Sequence, residues 1–172
     1  MPYTKPTGVA YSDPELTSGT TITGAVVDST TKSLSDIPSG LSASQQGATI
    51  ATTGNSDVYV IAPAAGTLTS ALFSGVDALA ANDTNYVTFS ITNLGQAGSG
   101  SAAMLAATDA NTTKATGGTA LTANTLRTLS LNGTAANLVV AAGDRIRIRA
   151  AASGTLANTV TFPVYRLNFS VA

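Results

Sequence analysis

The chain contains no histidine, no cysteine and no tryptophan, and only 10% of its 172 residues are charged. Histidine is the side chain whose ordinary pKa lies in the physiological range, and cysteine is the most reactive ready nucleophile. Both are also the main protein ligands of transition metals. These absences remove the usual groups for general-base, thiol and zinc chemistry, so we expect a protein that is not an enzyme and carries no cofactor.

Several partner classes are disfavoured by composition as well. No run of about 18 apolar residues is present, so we expect no contact with a membrane through a spanning helix. The first residues have no apolar stretch after Lys5, which is unlike a secretory signal. The net charge of −1 argues against binding of nucleic acid. No catalytic motif points to a small-molecule substrate, and the abundant Ala, Thr, Ser, Gly and Val are typical of strands and turns.

The charges are unevenly distributed along the chain. Residues 1–109 contain two basic and eight acidic side chains, whereas residues 110–172 contain six basic side chains and one acidic one. Two interpretations follow: the two parts neutralise each other within one fold, or their charges meet across copies of the protein or against a partner surface. The second interpretation predicts self-association.

The first part of the chain, residues 1–54, is poor in large apolar residues and rich in Thr, Ser, Gly and Pro. Such a segment cannot offset its ordering entropy by forming a core of its own. It is therefore either a flexible tail or an extended, irregular N-terminal arm that docks on a neighbouring surface. Its β-branched residues at strand-like spacing favour docking. The predicted contact residues of this arm are Ile22, Val26, Val27, Leu34 and Ile37.

From residue 55 to residue 172 the sequence is typical of short strands separated by turns. Apolar residues alternate with polar ones in 85–94, and β-branched residues fill 57–61, as in half-buried antiparallel strands. Turn signals separate these runs, and no long helical pattern is present. We therefore predict an all-β body in 55–172, an antiparallel β-sandwich with a jelly-roll-like arrangement.

Aromatic residues in strand patterns mark the expected core. They are Tyr59, Tyr86, Phe89, Phe162 and Phe169. We expect their rings to be buried between the sheets. In the last run, 160–171, the apolar alternation slips in phase, which predicts a bulge or bend near residues 165–166.

A charged strand is predicted near the end of the chain. Arg145, Arg147 and Arg149 alternate with Ile146 and Ile148, so the arginines share one face of the strand and the isoleucines share the other. Three interpretations stay open: a solvated face or protected sheet edge, a ladder of ion pairs with a protein partner, or a polyanion site. Interleaved aromatic residues, which would indicate stacking on single-stranded nucleic acid, are absent. We take the three arginines as candidate partner-binding residues.

One loop contains oxygen ligands of the kind that bind calcium. Residues 77–85 include two Asp and two Asn side chains, whose oxygen atoms are possible calcium ligands. Their spacing matches no known cation loop, and a turn stabilised by Asn and Asp side chains explains the composition. We therefore expect a turn there and no metal site.

Four segments of the body resemble a known group of proteins. They are VIAPAAGTL at 60–68, DTNYVTFS at 83–90, GGTA at 117–120 and LVVAAGDRI at 138–146. Together they are similar to β-sandwich proteins of tailed-bacteriophage virions, especially the head decoration or cement proteins. The resemblance covers roughly residues 55–172 and rests on the pattern of strand residues separated by turn residues.

The resemblance implies a non-enzymatic structural protein of a phage head. Such proteins are made in the bacterial host cytoplasm and sit on the outer capsid surface of the virion, often as homotrimers. They bind the major capsid protein and clamp neighbouring subunits, and an N-terminal arm commonly reaches onto the shell. A receptor- or glycan-binding domain of a phage head or tail fibre is the alternative, which the expected burial of the aromatic residues disfavours.

Overall fold

The computed structural model describes residues 40–171, which form nine β-strands and two short 3₁₀ helices. The strands are β1 (Gly40–Gln46), β2 (Gly54–Ile61), β3 (Gly66–Ser74), β4 (Tyr86–Asn93), β5 (Ala102–Ala103), β6 (Arg127–Leu129), β7 (Val139–Val140), β8 (Arg145–Ser153) and β9 (Val164–Val171). The 3₁₀ helices are Asp109–Asn111 and Ala135–Leu138. Within this part of the chain, no helix has the length and apolarity needed to cross a membrane. The prediction of an all-β fold is confirmed.

The strands pair in a nested order. β4 pairs with β5, β3 with β6, β2 with β8 and β1 with β9, and every pair is antiparallel. The four nested pairs form one long antiparallel hairpin, which folds over so that its strands lie in two sheets. Sheet 1 has the order β1-β9-β3-β6, with β7 also paired to β3, and sheet 2 has the order β2-β8-β4-β5. Two antiparallel sheets wound in this way form the jelly-roll-like sandwich that the sequence predicts.

The core lies between the two sheets. Phe73 of β3 and Phe89 of β4 meet across the sheets with ring centroids 4.7 Å apart, and Tyr165 of β9 packs 5.3 Å from Phe73. Ile146 and Ile148 of β8 are fully buried. Successive strand side chains point to opposite faces, so each strand that fills the core also presents side chains on an outer face. Each large apolar side chain buried here contributes about 1.5–3 kcal/mol.

The predicted core aromatics divide between core and surface. Phe89 and Phe169 are buried as predicted. The prediction is wrong for Tyr59, which is 42% exposed, and for Phe162, which is 62% exposed, and Tyr86 is half-buried. Tyr59 lies at an outward position of β2, whereas Phe162 precedes β9 and belongs to no strand.

β9 is regular, so the prediction of a bulge near residues 165–166 is wrong. Tyr165 faces the core in continuous register with β3. The phase slip in the sequence instead marks the beginning of the strand, because Phe162 lies in the preceding loop with a left-handed backbone (φ 47°). The irregularity in this pair of strands lies in β3, where the register shifts between Leu68 and Ser70.

The sheets begin before residue 55. β1 lies within the range 1–54 that the sequence assigned to the arm, and it pairs along its whole length with β9. It contains a single large apolar residue, Leu41, so its composition does not indicate a strand. The predicted contact residues of the arm lie outside the described residues: Ile22, Val26, Val27, Leu34 and Ile37.

Candidate functional site

The three candidate arginines lie side by side on the outer face of sheet 2. β8 buries Ile146 and Ile148 and turns Arg145, Arg147 and Arg149 outward, as the alternation predicts. Because β8 lies between β2 and β4, the arginines stand over the middle of the sheet, and the interpretation as a protected sheet edge is wrong. The arginine face is defined as the three arginines with their cross-strand neighbours Asp57, Tyr59, Ile61, Ser90 and Thr92.

Arg149 is neutralised within the chain. It faces Asp57 in the register of β2 and β8, and its Nε and Nη2 each donate a 2.6 Å hydrogen bond to a carboxylate oxygen. The hydrogen bond from Arg149 holds the pKa of Asp57 below its usual value, and the same contact raises the pKa of Arg149. For this arginine, the acidic first part and the basic last part of the chain do neutralise each other.

Arg145 stacks on an aromatic ring. Its guanidinium carbon Cζ lies 4.3 Å from the centroid of the Tyr59 ring. This cation–π contact contributes about 0.5–1 kcal/mol at an exposed site and orients the side chain. Among residues 40–171, no carboxylate forms an ion pair with Arg145. Its charge is therefore available to a partner.

Arg147 lies between the other two arginines and carries an unsatisfied donor. Its Nε is inaccessible to solvent and has no hydrogen-bond partner in the described part of the chain. Its neighbours across the sheet are Tyr59 and Thr92, which offer no carboxylate. A buried donor without a partner costs about 1–3 kcal/mol, and such groups are rare enough in folded proteins to require a reason. The Nε of Arg147 is thus a polar group for which the described part of the chain supplies no acceptor.

A groove of about 360 Å³ runs beside the arginine face, between β4 and residues 103–114. One wall carries hydroxyl side chains, from Thr88, Ser90 and Thr92. At one end Lys114 Nζ lies 2.8 Å from Asp109 Oδ1 and 5.0 Å from the centroid of the Tyr86 ring. The hydrogen bond with Asp109 raises the pKa of Lys114. The groove thus has hydroxyl groups on one wall, apolar side chains such as Ile91 and Leu105 elsewhere in its lining, and an ion pair at this end.

A second exposed surface lies where β9 begins. Four large apolar side chains there are 42% to 64% exposed, and they are termed the end cluster: Val76, Leu126, Phe162 and Val164. The backbone N–H of Val76 donates to the carbonyl of Thr161, and Leu126 and Val164 line one apolar groove of about 100 Å³. Apolar side chains that are exposed together mark contact surfaces more often than isolated ones do.

Phe162 is held in this exposed position by a costly backbone conformation. Its φ of 47° lies in the left-handed region, which is unfavourable for a bulky side chain. Both neighbours are fastened. Asp77 Oδ2 accepts hydrogen bonds from the backbone N–H and the hydroxyl of Thr161, at 2.7 and 2.6 Å, and the carbonyl of Pro163 accepts one from the N–H of Gly47 at 2.8 Å. The bonds from Thr161 lower the pKa of Asp77.

The loop 77–85 forms the expected turn. Oδ1 of Asn82 accepts hydrogen bonds of 2.8 Å from two backbone N–H groups further along the loop, which is the geometry of an Asx turn. Asp83 accepts hydrogen bonds from the N–H and the hydroxyl of Thr116, and these lower its pKa. Within residues 40–171, no three acidic side chains converge as a set of metal ligands.

Sequence reasoning missed one arginine with a structural role. Arg127, at the start of β6, donates to the carbonyls of Ala110, Thr112 and Thr119 at 2.7 to 3.0 Å. Its Cζ lies 5.3 Å from the centroid of the Phe89 ring, and burial lowers its pKa. This role could not be predicted from a lone arginine in a short strand, because its acceptors are backbone carbonyls, which any loop offers, and their position depends on the fold. It fastens that loop to the sandwich.

The structure thus brings the three predicted arginines together and adds two surfaces that the sequence did not predict, the groove and the end cluster. Comparisons of the chain with protein-family models, with curated proteins and with solved structures found no match.

Proposed function

We propose that this chain is a structural virion protein that binds the outer surface of a phage capsid and stabilises it by bridging neighbouring capsid subunits. It acts without catalysis, its partner is the major capsid protein, and it is made in the bacterial host cytoplasm. Jelly rolls serve in viral capsid proteins and in lectins, so the fold agrees with this function without selecting it. The resemblance of residues 55–172 to phage decoration proteins is a second support.

The end cluster is the observation that carries the proposal. Phe162 is exposed over 62% of its surface although its loop is fastened on both sides and its backbone is in an unfavourable region. Such an arrangement is costly for the free protein and becomes favourable when another protein covers the ring. Buried aromatic anchors of this kind supply much of the binding energy of protein interfaces.

Bridging requires two contact surfaces on one copy. The arginine face lies on the outer side of sheet 2, whereas the end cluster lies at the beginning of β9 in sheet 1. One surface is cationic and the other is apolar, so they suit different parts of a partner. A copy bound through both would hold two capsid subunits together and would stabilise the assembled shell, because it binds that state in preference to free subunits.

Self-association and the N-terminal arm complete the proposal. Copies associate as a homotrimer through contacts between acidic and basic surfaces, and the arm binds the shell through its apolar residues. Mass measurement at low and high salt tests the trimer, which high salt should weaken. A strict monomer both in solution and on the particle would remove it. Deletion of residues 1–39, which precede β1, should leave the circular dichroism of the body unchanged and reduce capsid occupancy.

Co-sedimentation with empty capsids of the phage that encodes this chain tests the central claim. The wild type should saturate the particles. The double variant Leu126→Ser with Phe162→Ser should bind at least about tenfold more weakly, as expected for loss of an interface anchor. The control is Val139→Ser in β7. The Val139 side chain is 55% exposed and lies beside the opposite end of β3, so this variant should bind like the wild type. Failure of the wild type to bind any capsid would reject the proposal.

A receptor- or glycan-binding domain is the second candidate, and the groove beside β4 favours it. The groove has a volume of about 360 Å³ and offers hydroxyl groups along one wall. The exposure of Tyr59 and Phe162 also removes the objection that all aromatic residues are buried. Saturable binding on a glycan array, weakened by Thr88→Val and accompanied by no binding to capsids, would select this function over the first.

A further inference from the structure

Two of the three guanidinium groups of the arginine face form no ion pair within residues 40–171, although the charge of Arg147 contributes to the lowered pKa of Asp57. Arg149 is paired with Asp57, whereas Arg145 and Arg147 have no carboxylate partner among the described residues. The Nε of Arg147 has no acceptor and is closed to solvent, so a ligand reaches this side chain through its terminal nitrogens. Guanidinium groups bind carboxylates and other oxyanions through paired, charge-assisted hydrogen bonds. Two unpaired guanidinium groups on one face therefore constitute a site for an anionic ligand.

The two guanidinium groups are already held in place. Arg145 is stacked on Tyr59 with 4.3 Å between Cζ and the ring centroid, and Arg147 is half-buried between Tyr59 and Thr92. Little side-chain freedom remains to be lost when an anion binds, so the entropic cost is smaller than for a freely rotating arginine. The hydroxyl of Thr92 borders the site and can donate to a bound oxygen.

The spacing of the two arginines selects the form of the ligand. Alternate residues of a strand lie about 6.6 Å apart along one face. An extended peptide has the same period, so acidic residues at positions i and i+2 of such a segment can meet Arg145 and Arg147 together. Acidic residues at adjacent positions point to opposite sides of an extended segment and cannot.

Nucleic acid fits this surface less well than an acidic peptide does. Single strands bind to proteins by stacking their bases on open aromatic rings. On this side of sheet 2, the ring of Tyr59 is stacked under Arg145 and the ring of Tyr86 lies under Lys114 Nζ. Both rings are therefore already occupied by a cation of the same chain.

We propose that Arg145 and Arg147 bind two alternate carboxylates of an extended acidic segment of a partner protein, which lies along β8. The identification of that partner as a capsid subunit rests on the proposed function. The site itself rests on the geometry of the arginine face and is testable on the isolated protein.

Titration calorimetry with two synthetic peptides tests the site. In the first peptide single Asp and Thr residues alternate. The second has the same composition but alternates Asp–Asp and Thr–Thr pairs, so that no two Asp residues stand at positions i and i+2. The full-length protein should bind the alternating peptide at least about tenfold more tightly, with an affinity that falls as salt is added. Arg145→Gln with Arg147→Gln should abolish this preference. The control is Arg166→Gln, which removes one positive charge from an exposed position of β9 in the other sheet and should bind like the wild type.

Several outcomes of the peptide titration would contradict the proposed binding site. Equal binding of both peptides, or an equal loss with Arg166→Gln, would show unspecific charge attraction and overturn the inference. Tighter binding of a DNA oligonucleotide than of the alternating peptide would also overturn it. If the double variant does not fold, Arg147→Lys replaces it, and retention of the full peptide preference would count against the site.

If the peptide preference fails while capsids still bind, the inference is wrong and the proposed function stands. If the peptide binds and capsids do not, the site stands without that function.

Discussion

Phe73 and Phe89 form the contact that joins the two sheets at the centre of the sandwich, with ring centroids 4.7 Å apart and ring planes inclined by 47°. Replacing Phe89 by Ala removes one side of this contact and leaves a cavity that the sheets cannot close. The free energy of unfolding should fall by about 3–5 kcal/mol, measured by urea denaturation. The control is the same change at exposed Phe162, which should cost less than about 1 kcal/mol. Equal losses in the two variants would contradict the position of Phe89 in the core.

Gly66 lies where β3 is paired on both sides, with β7 and with β9. A methyl group at this position would overlap the carbonyl oxygen of Ser170 on β9. Gly66→Ala should therefore separate the strands locally and lower the melting temperature, by the equivalent of about 1–3 kcal/mol. Gly133→Ala is the matched control, because a methyl group there meets no atom within 4 Å. An unchanged melting temperature for Gly66→Ala would show that the β3–β9 pairing is looser than described.

The pair between Asp57 and Arg149 predicts a contribution to stability that depends on pH. The pKa of Asp57 lies below its usual value of 3.8, so the carboxylate stabilises the folded chain fully above about pH 5, and this contribution is lost as the pH falls through the lowered pKa. At neutral pH, Asp57→Asn should reduce the free energy of unfolding by at most about 1 kcal/mol, because both partners are partly exposed. In acid titrations of stability, the difference from the wild type should therefore shrink only below the ordinary pKa of 3.8 and disappear once the pH is below the lowered pKa. A difference that persists at pH 2 would assign the loss to packing.

The half-buried side chain of Arg127 predicts a local effect on the loop that it contacts. Arg127→Met keeps most of the apolar stem and removes the donors to the carbonyls of Ala110, Thr112 and Thr119. We expect a loss of about 1–3 kcal/mol and faster amide exchange in the loop that contains these carbonyls. Arg166→Met, at an exposed position, is the control and should change neither quantity. Exchange that is unchanged in Arg127→Met would show that other contacts hold the loop.

Residue alternation was sufficient to predict the class of fold and the placement of the arginines. Strand geometry imposes a period of two, so Ile146 and Ile148 could be assigned to the core and Arg145 and Arg147 to the opposite face from the pattern alone. The pairing of Arg149 with Asp57 depends on the register of two strands 92 residues apart, which no local pattern contains.

The predictions that failed concern the ends of strands and the identity of edge strands. Phe162 matches a strand pattern but belongs to a loop. Hydrogen bonds with distant residues hold its neighbours Thr161 and Pro163, and the regular pairing of β9 begins only after them. β1 has little apolar content and becomes a strand because β9 offers it a partner. Both outcomes are decided by tertiary contacts, which override local preference.

The position of β9 between β1 and β3 has a consequence for how the protein is made. A ribosome releases β1 and β3 long before β9, and at typical elongation rates their shared partner follows β3 by on the order of ten seconds. During that interval the edges of β1 and β3 that pair with β9 in the finished sheet are unpaired. Such edges are templates to which a strand of another nascent chain can add. Sheet 1 is therefore completed only when β9 emerges, and slow synthesis of this segment should increase the yield of misassembled chains.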